Sequence, residues 1–93
     1  MVDLTLHERV TALFREAGEA HHLAYSDTDG ADPDWPIWYA DYLRDRLAAL
    51  LNATFTRSEL VYLLVTLDRD VKTNAPGADW AAYYARWLLR RYA

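Results

Sequence analysis

Apolar residues recur at intervals of three and four along most of the chain, which is typical of amphipathic helices that pack through one face. Four segments show this spacing. Thr5 and Glu8 form a capping-box pattern before the first segment, and Thr56 and Glu59 repeat it before the third. Polar, turn-forming residues fill positions 26–33 and 70–78. The pattern therefore predicts four helices.

The second predicted helix begins in an aromatic run. Asp34 precedes it as a candidate N-cap, and Pro36 falls in its first turn, where the missing N–H costs nothing. Asn52 is the expected end. The predicted inward stripe consists of Trp35, Tyr39, Tyr42, Leu43, Leu47 and Leu50.

The other helices have their own patterns. The first places His21 inward and His22 outward, and its Gly18 either admits a ring from the second helix or is a weak point. The third is apolar on nearly every side, which predicts a central position or a subunit interface. The fourth presents one aromatic-rich face, made of Trp80, Tyr83, Tyr84, Trp87, Leu88 and Tyr92.

A shift of forty-five residues aligns Asp34 and Trp35 with Asp79 and Trp80, and Leu43 with Leu88. This match is either a genuine repeat or a consequence of similar helix composition. We predict an all-α fold in which residues 1–93 form a single domain, a four-helix antiparallel bundle of two helix–loop–helix units. A genuine repeat would add pseudo-twofold symmetry, with the aromatic stripes of the second and fourth helices facing each other.

Composition narrows the possible partners. Of 93 residues, 53% are hydrophobic, which is much apolar surface for one small domain and predicts a homo-oligomer or a protein partner. The net charge of −4 argues against nucleic acids and anionic membranes. No cysteine is present, and neither a leader-like start nor a membrane-length apolar segment is visible, so we expect a cytoplasmic protein.

One signature resembles a known group. His21 and His22, the acidic turn at Gly30, and a W-P-x-W-Y-A-x-Y-L run from Trp35 to Leu43 are similar to short bacterial helical proteins of unknown function. The resemblance covers the first half of the chain. It implies no activity, cofactor or site residue.

The acidic loop is a candidate metal site. Asp27, Asp29 and Asp32 could supply oxygen ligands for a divalent metal, and His21 could add an imidazole. The EF-hand spacing is absent, because the sixth position counted from Asp27 is Asp32 in place of glycine. The alternative interpretation is a solvated turn, with His21 hydrogen-bonded in the core.

The aromatic residues are the other candidate site. Such rings at helical spacing usually pack in the core, but tryptophan and tyrosine are also enriched at the centres of protein interfaces. No catalytic motif is recognisable, so we expect no enzyme and no cofactor beyond that metal. We predict a homodimeric interaction or scaffold module; the alternative is a metal- or small-ligand-binding protein. The predicted contact residues are Trp35, Trp38, Tyr39, Tyr42, Trp80, Tyr83, Tyr84 and Trp87.

Overall fold

The computed structural model of the chain describes residues 5–92. Within that range the chain forms four α-helices, α1 Leu6–Ala24, α2 Trp35–Leu51, α3 Arg57–Asn74 and α4 Trp80–Tyr92, and a 3₁₀ turn at Ser26–Thr28. These residues contain no strand. The predicted all-α class and the four-helix bundle are therefore confirmed.

Side-chain contacts fix the direction of α2 against α1. The Tyr42 hydroxyl donates to Glu16 at 2.8 Å, and the Trp38 ring lies 5.0 Å from the His21 ring. Because the earlier residue of α2 meets the later residue of α1, the two helices run antiparallel. The α3–α4 unit is pinned by a hydrogen bond from Tyr83 to Asp70. Further packing of α1 on α4 and of α2 on α3 closes the bundle.

Two predicted caps begin helices as expected. The Thr5 hydroxyl accepts from the Glu8 amide at 3.1 Å and the Glu8 carboxylate accepts from the Thr5 amide at 3.2 Å, which completes the first capping box. The Thr56 hydroxyl accepts from the Glu59 amide at 3.0 Å. Within the described residues the Glu59 carboxylate makes no reciprocal hydrogen bond, so the second predicted capping box is only half formed. At the end of α2, Asn52 adopts a left-handed conformation with φ of 50°.

The predicted capping role of Asp34 is wrong. Asp34 directly precedes α2, but its side chain makes no capping hydrogen bond. Its φ and ψ of −103° and 27° lie outside the extended region from which a cap normally reaches the first amides. Asp32 accepts from the backbone N–H of Asp34 at 3.0 Å instead, so the carboxylate that organises this helix start lies two residues earlier.

The core uses smaller side chains than the aromatic stripes predicted. In α2 the buried residues are Ala40, Leu43, Leu47 and Leu51. Alanines with no exposed surface recur in α1, α2 and α4, at Ala17, Ala40, Ala81 and Ala85. Small residues let neighbouring helices approach closely, so the larger rings of α2 are displaced to the flank, half-buried. Of the predicted stripe, Leu43 and Leu47 are fully buried, whereas Trp35, Tyr39, Tyr42 and Leu50 are half-buried and pack against the core from its edge.

Two further expectations concern how the helices pack. The aromatic residues of α2 and α4 do not form one facing pair of stripes. Rings of α2 surround His21 of α1, whereas the α4 rings divide between Phe14 of α1, Asp70 of α3 and Phe55.

One ring from each of these helices reaches Gly18, where an added Cβ would lie 3.3 Å from Cζ2 of Trp80 and 3.8 Å from the Tyr39 hydroxyl. Tyr39 of α2 therefore approaches Gly18 as predicted, and Trp80 of α4 lies closer still. In α3, Tyr62 is largely exposed, so α3 is not a fully enclosed central helix. The alternative expectation, a subunit interface on this helix, stays a prediction.

Candidate functional site

A buried imidazole–carboxylate pair links α1 to the loop before α2. Nε2 of His21 lies 3.0 Å from Oδ2 of Asp32, and the two side chains are 9% and 5% exposed. Oδ1 of the same carboxylate accepts from the Asp34 amide. Asp32 therefore uses one oxygen to hold the helix start and the other to hold the histidine. The prediction that His21 points inward is confirmed.

Aromatic rings enclose the imidazole. Tyr25 and Tyr39 stack on it with centroid distances of 4.8 and 5.0 Å, and Trp38 meets it edge to face at 5.0 Å. The rings come from the end of α1 and the first turns of α2. This arrangement fixes the orientation of His21 by packing and gives its ring a specific polar partner.

The hydrogen bonds also determine the ionisation of the carboxylate. Burial raises the pKa of Asp32, but the hydrogen bonds from His21 and the Asp34 amide outweigh it, so the pKa lies below its ordinary value. Asp32 is therefore a carboxylate at neutral pH. Nearby, burial and the Asp32 charge raise the pKa of Tyr25, which keeps that hydroxyl protonated.

The two halves of the chain differ at this position. The buried residues of α1 are Val10, Leu13, Phe14, Ala17 and His21. Shifted by fifty residues, the same positions are the buried residues of α3, namely Leu60, Leu63, Leu64, Leu67 and Val71. His21 thus occupies a core position that is apolar in the other half. Such a substitution costs stability unless the polar ring is satisfied, and Asp32 satisfies it.

The predicted metal residues are not brought together. Asp32 lies beside His21, whereas Asp27 and Asp29 are exposed on the 3₁₀ turn and directly after it. Among residues 5–92, no group of three or more His, Cys, Asp or Glu side chains is arranged to hold a metal ion. The contact between His21 and Asp32 holds the loop against α1.

The eight predicted contact residues fall into several environments. Trp38 and Tyr39 enclose His21, and Trp35 and Tyr42 flank them. Tyr84 is buried and packs edge to face on Phe14 with a centroid distance of 5.5 Å. The remaining three lie closer to the surface: Trp80 beside Gly18, Tyr83 hydrogen-bonded to Asp70, and Trp87 between α3 and α4.

One surface groove lies between α1 and the start of α4, with a volume of about 670 Å³. We call it the α1 patch. Its apolar residues are Gly18, Leu23 and Trp80, and its polar residues are Arg15, Glu19 and His22. Leu23 is 74% exposed, the highest value among the large hydrophobic residues described.

The acidic loop lies beside the α1 patch. Gly30 has a φ of +86°, and a Cβ there would lie 2.9 Å from Nδ1 of His22. The histidine ring therefore rests against the glycine backbone. This contact brings the loop carrying Asp29 next to a side chain that lines the patch.

A second groove, the α3–α4 groove, has a volume of about 290 Å³. Tyr62, Trp87 and Tyr92 provide its aromatic lining, and Tyr62 is 70% exposed. The Arg91 guanidinium lies 5.8 Å from the Trp87 ring and 5.7 Å from the Tyr92 ring. The groove thus combines exposed aromatic surface with a cation.

Charge is distributed unevenly between the two helix–loop–helix units. Residues 1–52 contain ten acidic and four basic residues, whereas residues 53–93 contain four acidic and six basic residues. The α1 patch belongs mainly to the acidic unit, and the α3–α4 groove belongs to the basic one. The overall charge of −4 therefore combines an acidic first unit with a weakly basic second unit.

Leu23 and Tyr62 were missed as candidate contact residues. Leu23 lies off the buried stripe of α1, and Tyr62 lies off that of α3. Each could have been recognised in the sequence, because it is a large apolar residue that lies outside the inward-facing stripe of its helix. The apolar composition of α3 obscured this pattern for Tyr62.

No protein family, curated protein or solved structure matches the chain. None of the described helices is both long enough and apolar enough to cross a membrane.

Proposed function

We propose that this protein is a small cytoplasmic interaction module that self-associates as a homodimer through an aromatic-rich helical surface. The α3–α4 groove is the observation that carries the proposal, because it leaves aromatic side chains of both helices accessible. It refines the predicted surface by keeping Trp87 and adding Tyr62 and Tyr92. The proposal assigns the protein no catalytic step.

The residue types in the groove favour protein binding. Tyrosine, tryptophan and arginine are the residues most enriched at interface hot spots, and Tyr62, Trp87 and Arg91 meet here. Tyr62 does not support the bundle core, since most of its side chain is exposed. A tyrosine in that position can bury a large ring on association and lose few rotameric states.

The proposal is tested with Tyr62→Ser, using Ile37→Ser as the matched control. Ile37 is also an exposed apolar residue, 40% accessible, and it does not line the α3–α4 groove. Both variants should keep the helical circular-dichroism spectrum of the wild type. In sedimentation equilibrium we expect Tyr62→Ser to raise the dimer dissociation constant at least about tenfold. Ile37→Ser should leave it nearly unchanged.

Two outcomes would overturn the proposal. One is a wild-type protein that stays monomeric throughout the micromolar range. The other is a dimer that Tyr62→Ser and Ile37→Ser weaken equally, which would indicate nonspecific apolar association.

A further inference from the structure

We infer that the α3–α4 groove receives the α1 patch of a second copy of this chain, with Leu23 as the inserted side chain. This inference rests on the proposed function and adds the identity of both contacting surfaces. It follows from three properties of the described residues: the shape of the two surfaces, their charge, and their occurrence on one polypeptide.

The shapes are complementary. Leu23 projects from α1, most of its side chain is exposed, and it is not part of the buried core. The α3–α4 groove offers a cavity of about 290 Å³ between the Tyr62 and Trp87 side chains, enough space for one branched aliphatic residue. An exposed leucine and an unfilled aromatic groove each leave apolar surface in water, and joining them removes both.

The surroundings of the two surfaces differ in charge. Arg15 and Glu19 both line the α1 patch, but Arg15 is paired with Asp79. The exposed Asp27 and Asp29 follow Leu23 within six residues and add negative charge beside the patch. The contact between His22 and Gly30 keeps this acidic loop at the edge of the patch.

On the receiving side, Arg91 lines the groove. Arg86 and Arg90 are exposed on the same helix, and both lie close enough to Tyr83 to lower its pKa, although the Asp70 hydrogen bond and burial raise that pKa overall. The one acidic residue lining the groove is Glu59. Carboxylates at one surface and guanidinium groups at the other favour association of unlike surfaces and disfavour association of like ones.

In a symmetric dimer both copies can make the proposed contact. In a twofold dimer a contact between residue i of one chain and residue j of its partner is always made twice. Each copy therefore inserts its own Leu23 and receives the partner's Leu23. This predicts an interface composed of two equivalent contacts, each between an acidic and a basic unit.

Complementation between two variants tests the inference. Leu23→Ser removes the inserted side chain, and Tyr62→Ser alters the groove. Each should be monomeric at concentrations where the wild type is dimeric, while retaining its helical spectrum, because both positions are exposed. Mixed in equal amounts, the variants should form a heterodimer, since the Tyr62→Ser copy still has Leu23 and the Leu23→Ser copy still has an intact groove. The heterodimer keeps one of the two contacts, so it should be weaker than the wild-type dimer but stronger than either variant homodimer. Native mass spectrometry distinguishes the heterodimer because the two variants differ in mass.

The control mixture is Leu23→Ser with Ile37→Ser/Tyr62→Ser. It should give the same heterodimer, because Ile37 is outside both surfaces. Higher salt should weaken both the wild-type dimer and the heterodimer, as expected for charges screened within about 10 Å at 0.1 M salt.

Other results would overturn the inference in distinguishable ways. If Tyr62→Ser dissociates the dimer but Leu23→Ser does not, the groove binds something other than Leu23, and the proposed interaction module remains. The same conclusion follows if the mixture forms no more dimer than either variant alone at any concentration. If the wild type itself is monomeric at every concentration, both the inference and the proposed function fail.

Discussion

His21 in α1 and Val71 in α3 occupy equivalent core positions, fifty residues apart, and His21 has a buried carboxylate 3.0 Å from its ring. The second half of the chain shows that a valine suits this position. The polar pair must therefore do something that apolar packing alone does not do. Its geometry indicates what that is, because Asp32 holds both His21 and the first amide before α2.

The first prediction concerns that pair. His21→Val should lower the melting temperature by at least about 5 °C, because it leaves the buried Asp32 oxygen without its partner. Asp32→Asn should also destabilise the fold. The double variant should be no less stable than the worse single variant, since the two residues act together. Thermal melts followed by circular dichroism measure all three, and strictly additive losses would show that the residues act independently.

The second prediction concerns the stability of the fold at low pH. The pKa of Asp32 is lower in the folded protein than its ordinary value, so its contribution is complete above the unfolded pKa, about 4, and is lost as pH falls through the folded pKa. The stability difference between the wild type and Asp32→Asn should therefore narrow as pH falls below about 4. Urea unfolding at several pH values measures it. A constant difference over this range would mean that Asp32 keeps its ordinary pKa in the fold.

The third prediction concerns the stability of the fold at high pH. Burial raises the pKa of Tyr84, with smaller increases from the Asp68 charge and from Tyr39. The protonated Tyr84 hydroxyl therefore contributes its full stabilisation below the pKa of tyrosine in the unfolded chain, about 10. That stabilisation is lost as pH rises above this value. Tyr84→Phe cannot ionise, so its stability should fall less steeply above about pH 10. Melting temperatures at pH 8 and pH 11 test this, and parallel losses in both proteins would argue against it.

The fourth prediction compares two glycines. Gly30→Ala should destabilise the fold by about 1–2 kcal/mol, because the left-handed backbone disfavours a side chain and the new Cβ would strike the His22 ring. Gly77→Ala is the matched control. No atom lies within 4 Å of a Cβ at Gly77, and we expect a change within about 0.5 kcal/mol. Equal destabilisation of the two variants in urea unfolding would show that the contact between His22 and Gly30 does not matter.

Much of the fold could be predicted from the sequence. Capping residues act over three positions, so Thr5 and Thr56 indicated helix starts directly. Periodicity placed Leu43, Leu47 and His21 inside correctly. These features depend on neighbours along the chain, and that is why one sequence was sufficient to find them.

The partners of these residues could not be predicted in the same way. Periodicity indicated an inward His21 but not that Asp32, among four nearby aspartates, would face it. It also placed Trp35 and Tyr39 on the inward stripe but did not show that they stay half-buried at the edge of a core that includes fully buried alanines. Which side chain fills a space depends on how closely the helices approach, and that is a property of the whole bundle.

Native mass spectrometry of the wild-type protein as purified tests the central claim, self-association through the described surfaces, most directly. We predict a dimer that carries no additional mass and dissociates as salt is raised. A monomer that carries a reproducible extra mass, lost in both His21→Ala and Asp32→Ala, would contradict the account and make the acidic loop a ligand site.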